Sequence, residues 1–262
     1  MQRTVTTWDD FCDAWDGVHN FLMADECVPF SFEMPPLERV VREMRDDPQA
    51  RITSGMKGSS LDLDDVAEQF RASSVEQVLT KPFGLAHFNL SVFDHADGFL
   101  DGFRQQVLEP WQQALADAGF TFDRCNPIIF ISGPQSATNY HMDFSHVLAW
   151  QIYGQKRFCG LKAPGRWAPW RMRVNYKAGE FERPAQLQES DELCYEMPPG
   201  SVLWNALLTP HWVEAGNEAA MSVNISHGGL RLNERLCPFE RELEEYRVAA
   251  SDVAEEKLQV GN

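Results

Sequence analysis

Residues 128–161 read IIFISGPQSATNYHMDFSHVLAWQIYGQKRFCGL, and this stretch decides the fold. A β-branched and aromatic run at 128–131 ends in the letters SGP, which are typical of a turn. A second apolar run at 147–153 is followed by the turn letters GQ and by a third run at 156–161. Two such runs joined by a two-residue turn predict a β-hairpin.

Three further short strands are predicted at 194–197, 201–204 and 220–226, again separated by Gly and Pro turns. Short strands at this spacing are typical of an antiparallel barrel or jelly roll of the cupin type. The predicted fold class is therefore mainly β with helical additions (α+β).

The 262 residues suffice for one barrel domain with helical additions, so residues 1–262 are predicted to be a single domain. A helical and strand buttress occupies 1–125, the barrel core 126–230, and a helical tail 231–262. The patterns behind the buttress are Thr7 as a helix N-cap, helices at 37–44 and 63–70, a strand at 85–93 and a helix at 99–118 ending at Gly119.

The tripeptide His141-Met142-Asp143 is the main candidate for a metal site. Residues two positions apart in an extended segment project to the same side, so His141 and Asp143 can bind one metal while Met142 points away. His211 lies beside Pro210, ahead of the last apolar strand, and can supply a third ligand. Two imidazoles and one carboxylate form the facial triad of iron(II) oxygenases, which leaves coordination positions open. The sequence therefore predicts oxidative chemistry.

Residues 128–227 resemble the Jumonji C, or cupin-like, branch of the iron(II) and 2-oxoglutarate-dependent oxygenases. They are similar to the protein hydroxylases typified by the asparaginyl hydroxylase of hypoxia-inducible factor. The positions that match in order and spacing are Gly133, Thr138, His141, Asp143, Gly154, Lys156, Pro199, Gly200, His211 and Asn224. The resemblance implies a double-stranded β-helix, a requirement for iron(II), 2-oxoglutarate and dioxygen, and succinate and carbon dioxide as coproducts.

Three polar residues are candidates for binding the cosubstrate. Lys156 is a flexible point charge at the start of an apolar strand, from which it can reach a distal carboxylate; the alternative is an exposed hairpin lysine. Thr138 can add a neutral hydrogen bond to the same carboxylate. The resemblance places Asn224 near the metal-bound end of the cosubstrate or near a ligand, and the alternative is a strand-edge amide bonded to backbone.

The remaining histidines are predicted to be outside the metal site. His146 has the wrong spacing from His141 and is expected to point to the opposite face, as a structural residue. His19, His87 and His95 are expected to be solvated or locally bonded, whereas His227 could line the mouth of the site.

Composition restricts the partners and the compartment. A formal net charge of −16 argues against nucleic acid, because phosphate-backbone binders normally present a basic face. No apolar stretch is long enough to predict a membrane span, and no signal peptide is recognisable at the N-terminus. The six cysteines lack metal-site spacing and are expected to be mostly buried thiols of a cytoplasmic protein.

Two segments, one between barrel strands and one after the barrel, lead to separate predictions. The stretch 163–192 is rich in aromatic and basic residues within an acidic chain and is predicted to be an ordered loop. Its tryptophans either pin the loop to the barrel or form a substrate lid. The segment 238–258 predicts amphipathic helices, through which the resemblance suggests a possible homodimer.

The expected activity is hydroxylation of a C–H bond in a peptide or protein side chain, or in an amino-acid-like small molecule. An intact carboxylate at Asp143 argues against a halogenase. Three alternatives stay open: an N-methyl demethylase with the same chemistry, a metal cupin enzyme independent of 2-oxoglutarate, and a noncatalytic cupin binding protein. Lys156 and Thr138 argue against the second alternative, and the complete triad argues against the third.

Overall fold

The computed structural model describes residues 2–15, 17–57, 63–88, 90–169, 172–173, 182–237, 240–241 and 244–245. Within these residues the fold is mixed α+β, as predicted, and contains an eight-stranded sheet, a three-stranded sheet and a two-stranded sheet.

The strands are numbered in chain order. Across the large sheet the spatial order is β1 (Thr4–Val5), β2 (Asn20–Met23), β10 (Val202–Asn205), β7 (His146–Tyr153), β12 (Ala220–Gly228), β6 (Arg124–Ser132), β4 (Gly84–His87) and β3 (Ala50–Thr53). Neighbours in this sheet are antiparallel except β1 and β2. The small sheet has the antiparallel order β11 (Trp212–Ala215), β8 (Lys156–Leu161) and β9 (Glu192–Met197), and β5 (Phe120–Thr121) pairs with β13 (Arg231–Leu232).

The predicted hairpin of β7 and β8 is wrong. β7 pairs with β10 and β12 in the large sheet, whereas β8 pairs with β9 and β11 in the small sheet. Gly154 lies between them with φ +63°, and a Cβ there would lie 2.4 Å from the carbonyl oxygen of Ala219. Only glycine tolerates both the left-handed backbone and this close approach. The turn therefore takes the chain from one sheet to the other.

The helices lie at most of the positions predicted within 1–125. They are α1 (Trp8–Trp15), α2 (Leu37–Met44), α3 (Leu63–Ala72), α4 (Val75–Val78), α5 (Glu109–Asp117) and α6 (Pro164–Trp167), with a π-helical turn at Arg104–Leu108 before α5. Thr7 caps α1, because the backbone N–H of Asp10 donates to its Oγ1 at 3.1 Å. The strand predicted at 85–93 is only partly correct, since β4 ends at His87 and Leu90–Phe93 form a 3₁₀ turn.

The alternation of β12 separates the apolar core from a polar interior. Met221, Val223 and Ile225 are buried in the largest hydrophobic cluster, which lies between the large sheet and the helices. Ser222 and Asn224 project from the other face of the strand, as residues of opposite parity must. The small sheet covers this second face, since the Lys156 ammonium on β8 donates to the hydroxyl of Ser222 at 3.0 Å.

Aromatic rings from separate elements hold the main core together. Trp204 on β10 is fully buried and lies edge-on to Phe11 of α1, with ring centroids 5.1 Å apart. Trp111 of α5 packs on the same indole at 6.5 Å. Such aromatic pairs prefer tilted or edge-to-face packing. The N-terminal helices are thereby fixed to the sheet that positions the candidate site.

Four cysteines, Cys12, Cys27, Cys125 and Cys237, are thiols outside any disulfide, as predicted for most of the six. The prediction is wrong for Cys159 and Cys194, which form a disulfide. These two residues lie directly opposite each other on β8 and β9. Register between strands places them in contact, and the 35 residues that separate them in sequence gave no indication of it.

No helix within the described residues is both long and apolar enough to cross a bilayer. Of the helical tail predicted over 238–258, only 240–241 and 244–245 lie inside the described residues, and both pairs are helical. Of the aromatic and basic loop, Trp170, Arg171, Tyr176 and Lys177 lie outside them.

Candidate metal centre

The three predicted ligands come together where the segment before β7 pairs with the segment that leads into β11 of the small sheet. His141 and His211 form an isolated antiparallel bridge, in which each backbone N–H donates to the other residue's carbonyl, at 3.0 and 2.9 Å. The carbonyl of Asp143 accepts the backbone N–H of Leu208 at 2.7 Å. The segment before β7 is thus paired with the segment before β11, which places both histidines and the aspartate side by side.

The ligand atoms of the triad lie at distances that suit one metal ion. Asp143 Oδ1 is 3.9 Å from His141 Nε2, and Asp143 Oδ2 is 3.5 Å from His211 Nε2. One ligand atom from each residue lies within 4.8 Å of the others. Neighbouring ligands about 2.1 Å from a metal are roughly 3 Å apart, so a small contraction suffices to bind an ion.

Both histidines are held in the tautomer that metal binding needs. His141 Nδ1 lies 2.7 Å from the carbonyl oxygen of Asn139, and His211 Nδ1 lies 2.9 Å from that of Thr209. A carbonyl can only accept, so each Nδ1 carries the proton and each Nε2 keeps its lone pair toward the carboxylate. A ligating histidine typically donates its other N–H in this way. No signal in the sequence indicated Asn139 and Thr209, because they accept these hydrogen bonds through backbone carbonyls, which every residue has.

One side of the triad is buried and the other is open. The side chain of His211 is 4% exposed, whereas those of His141 and Asp143 are 32% and 34% exposed. Phe158 of β8 stacks on the His211 ring, with centroids 5.0 Å apart and planes 13° from parallel. Burial lowers the pKa of His211 to about 4, and the His141 ring acts in the same direction. His211 is therefore neutral at pH 7, as a metal ligand must be.

A second group of potential ligands has the opposite proton arrangement. His146, Cys237 and Glu240 lie close together, with His146 Nε2 3.1 Å from the Glu240 carboxylate. However, the backbone N–H of Leu207 donates to His146 Nδ1 at 3.4 Å. A neutral ring then carries its proton on Nε2 and donates it to Glu240, which leaves no lone pair there for a metal. This arrangement agrees with the predicted structural role of His146.

Lys156 is buried, and the alternative of an exposed hairpin lysine is wrong. Only 5% of the residue is exposed, and its ammonium donates to the carbonyl of Phe130 at 3.2 Å and to Ser222 at 3.0 Å. No carboxylate pairs with it among the residues that the structure describes. Burial lowers its pKa to about 7. A buried amine without an anionic partner is suited to binding an anion.

The side-chain oxygen of Asn224 lacks a hydrogen-bond partner among the described residues, whereas that of Thr138 already accepts one hydrogen bond. Asn224 lies on the same face of β12 as Ser222, and its buried Oδ1 has no hydrogen-bond partner in the described part of the chain. Thr138 is exposed, and its Oγ1 accepts the backbone N–H of Val213 at 2.9 Å. Its hydroxyl proton can still donate. Asn224 therefore faces the interior between the sheets, whereas Thr138 lies at the edge.

Three of the other histidine predictions are wrong, since His19, like His87, is neither solvated nor locally bonded but is partly buried against Thr209. His227 does not line the mouth of the site: it is fully buried on the helical side of the large sheet and accepts the indole N–H of Trp111 at 2.8 Å. His87 is not solvated, since it is buried with its Nε2 3.1 Å from Asp47. His19 contacts the hydroxyl of Thr209 at 3.1 Å, so it supports the carbonyl that orients His211.

No family model matches this chain. No curated protein matches it either. Solved structures do match, among them YcfD, a ribosomal oxygenase from Escherichia coli.

The YcfD structure in complex with cobalt and 2-oxoglutarate aligns with 98% of this chain and 58% of its own, at a TM-score of 0.53 and 16% identity. The complex with cobalt and succinic acid aligns with 86% of this chain and 52% of its own, at a TM-score of 0.53 and 15% identity. A further structure of E. coli ycfD aligns with 86% of this chain and 53% of its own, at a TM-score of 0.50 and 17% identity. The chain thus spans about half the length of the structures it matches. At these identities the likeness establishes one conclusion, that this chain has the fold of the YcfD oxygenase structures.

Proposed function

We propose that this protein is an iron(II) and 2-oxoglutarate-dependent oxygenase that hydroxylates a C–H bond. The observation that carries the proposal is the convergence of two histidines and Asp143, with both Nδ1 protons donated to backbone carbonyls. The cobalt and 2-oxoglutarate named for the YcfD complex support the same cofactors here. We infer that the two facing sheets form a double-stranded β-helix of the Jumonji C or cupin type.

The residues present fit such a metal. His141, His211 and Asp143 would hold iron(II), the ion for which this ligand set is characteristic. When bound, iron(II) couples the oxidative decarboxylation of 2-oxoglutarate, which yields succinate and carbon dioxide, to insertion of one oxygen atom into the substrate. Phe158 covers one face of His211 and excludes water from that side. The open side at His141 and Asp143 is where a substrate would approach.

The interior between the sheets fits a dicarboxylic cosubstrate. Lys156 would bind the distal carboxylate, because it is a buried cation with no acidic partner among the described residues, and Ser222 beside it can donate a second hydrogen bond. Asn224 would contribute a polar contact nearer the metal, and Thr138 a further hydroxyl. These two roles rest on the resemblance and on their positions.

The proposed substrate class is taken from the similar solved structures. YcfD is described as a ribosomal oxygenase, which favours a peptide or protein side chain over an amino-acid-like small molecule. An N-methyl demethylase would use the same residues and remains the alternative activity. The similarity to the asparaginyl hydroxylase, the homodimer and the cytoplasmic location stay predictions.

The test of this function measures cosubstrate turnover and oxygen incorporation together. The metal-loaded protein is expected to convert 2-oxoglutarate to succinate only with iron(II) and dioxygen, and a cell extract incubated with it is expected to gain a product heavier by one oxygen. His95→Ala is the control, because His95 is exposed and outside the triad. Metal-dependent turnover without succinate would instead indicate a cupin enzyme independent of 2-oxoglutarate. Binding without any turnover would indicate a noncatalytic protein.

The pH dependence of cosubstrate binding provides a separate prediction. Since the pKa of Lys156 is lowered to about 7 by burial, the amine is mostly neutral above that pH in the free protein. A bound carboxylate favours the charged form, so binding above pH 7 must take up a proton. The affinity for 2-oxoglutarate is therefore expected to fall with rising pH, by up to about tenfold per unit, and to be flat with respect to this group below pH 7.

Calorimetry of anaerobic, cobalt-loaded protein in buffers of different ionisation enthalpy measures this proton uptake directly. Lys156→Met is expected to bind weakly and without proton uptake at any pH. An equal affinity at pH 7 and pH 9 in the wild type, with no uptake, would exclude Lys156 as the titrating anchor.

A further inference from the structure

The disulfide between Cys159 and Cys194 lies at the base of the aromatic and basic loop. β8 enters the loop after Leu161 and β9 leaves it at Glu192, so the bridge joins the two strands directly beneath it. The backbone N–H of Lys162 donates to the carbonyl of Asp191 at 2.9 Å one step further out. The bridge therefore closes a ring that contains the whole loop.

Strand pairing holds the two sulfurs opposite each other without help from the covalent bond. The register between β8 and β9 runs from Lys156 opposite Met197 to Leu161 opposite Glu192, with the cysteines inside it. Because this pairing is made by the backbone of six residues in each strand, we expect it to persist when the S–S bond is broken. The reduced thiols would then stay adjacent, so the bond can open and form again without unfolding of the sheet.

The two sulfurs differ in access. Cys159 is fully buried, whereas Cys194 is partly exposed and lines a surface cleft of about 620 Å³ together with Arg157, Arg183 and Trp212. Clefts of 300 to roughly 1,000 Å³ admit small molecules. A dissolved thiol that enters the cleft therefore meets Cys194, whereas Cys159 has no exposed surface. Accessible disulfides are the labile ones, and buried ones resist reduction.

The bridge is also adjacent to the wall of the metal centre. Cys159 lies opposite Trp212 on β11, and Trp212 directly follows His211. Phe158, the residue before Cys159 on β8, stacks on the His211 ring. The disulfide thus fastens the base of the loop to the strand that supports one metal ligand.

We propose that Cys159–Cys194 is a reversible thiol–disulfide exchange site, whose reductant is a low-molecular-weight thiol that enters the cleft at Cys194. The thiolate attacks the sulfur of Cys194, the S–S bond breaks, and the electron pair passes to the sulfur of Cys159, which takes a proton from water. A second thiol attacks the mixed disulfide and releases Cys194 as a thiol. Two reductant thiols become one disulfide, and the protein gains two thiols.

Counting thiols by mass tests the proposal on the full chain without any assay of activity. The protein is incubated in mixtures of reduced and oxidised glutathione, then denatured and alkylated. Four labels are expected in oxidising mixtures, on Cys12, Cys27, Cys125 and Cys237, and six in reducing mixtures. The change is expected to be reversible, with circular dichroism and thermal unfolding showing a folded protein in both states.

Two variants and a protease cut make the result specific. Cys125→Ser, which removes a buried free thiol, should lose one label and keep the two-label difference, whereas Cys159→Ser should abolish that difference. A tryptic cut inside 162–191 should leave one band on a non-reducing gel and two on a reducing gel. Six labels in every mixture, or four labels in every mixture, would overturn the proposal. It would also be overturned if the labels on Cys159 and Cys194 appeared only in mixtures in which the protein is unfolded.

Discussion

His141→Ala, Asp143→Ala and His211→Ala are each expected to lose iron-dependent succinate formation by at least about 100-fold. Removing even a residue that supports a ligand typically costs 10- to 100-fold in metal affinity or activity, and here a ligand itself is lost. The loss should appear both in metal content after desalting and in turnover. His95→Ala, an exposed histidine outside the triad, should keep both.

These variants should remain folded, which separates ligand loss from unfolding. His141 and Asp143 are each about one third exposed, so their replacement should change the free energy of unfolding by about 0.5 kcal/mol or less. His211 is buried under Phe158, and its loss should cost more, on the order of 1 to 3 kcal/mol. Near wild-type succinate formation in any of the three folded variants would refute the assignment of the triad.

Lys156→Ala is expected to weaken 2-oxoglutarate binding by roughly 30-fold to several thousand-fold, because truncating one partner of a buried charge pair costs about 2 to 5 kcal/mol. The ammonium donates to the carbonyl of Phe130 and to the hydroxyl of Ser222, and neither of these neutral groups can replace its charge as a partner for a carboxylate. Cosubstrate titrations of the cobalt-loaded, anaerobic protein give the dissociation constants directly. The metal affinity should stay unchanged, since Lys156 is not a ligand.

Arg157 provides the matched control for Lys156. It is the next residue on β8 and therefore points to the opposite face, where it is 44% exposed and paired with Glu196 and Glu214. Arg157→Ala should leave 2-oxoglutarate binding within about a factor of two, as expected for a surface ion pair worth 0 to roughly 1 kcal/mol. If the two variants weakened binding equally, the carboxylate anchor would lie elsewhere.

Stability measurements add a second readout for Lys156. Burying an amine without a carboxylate costs free energy, so Lys156→Met, which keeps the chain length and removes the charge, should raise the melting temperature of the protein without cosubstrate. If replacing Lys156 weakens cosubstrate binding and raises stability, the lysine serves function and not folding. A lower melting temperature in Lys156→Met would point to a packing role instead.

Much of the candidate site could be predicted because its signals are local. The two-residue spacing of His141 and Asp143 is a property of extended chain, and Thr7 caps its helix within one turn. The strand predicted at 220–226 lies within β12 (Ala220–Gly228), because its apolar run and the turn residues before it are local features. Each of these predictions needed only neighbours in the sequence.

Hydrophobic periodicity and turn residues act over a few positions, so they were sufficient to predict the α+β class and most strand and helix positions. The candidate ligands were recognised from the two-residue spacing of His141 and Asp143 and from the resemblance that includes His211. Only the tertiary structure decided that β8 leaves β7 for the other sheet, that Cys159 meets Cys194, that Lys156 is buried and that His227 belongs to the core. Alternation along a strand records which side chains share a face, but it carries no information on which strand lies beside it or which sheet covers it. The proton positions on His141 and His211 depended likewise on backbone carbonyls placed by long-range strand pairing.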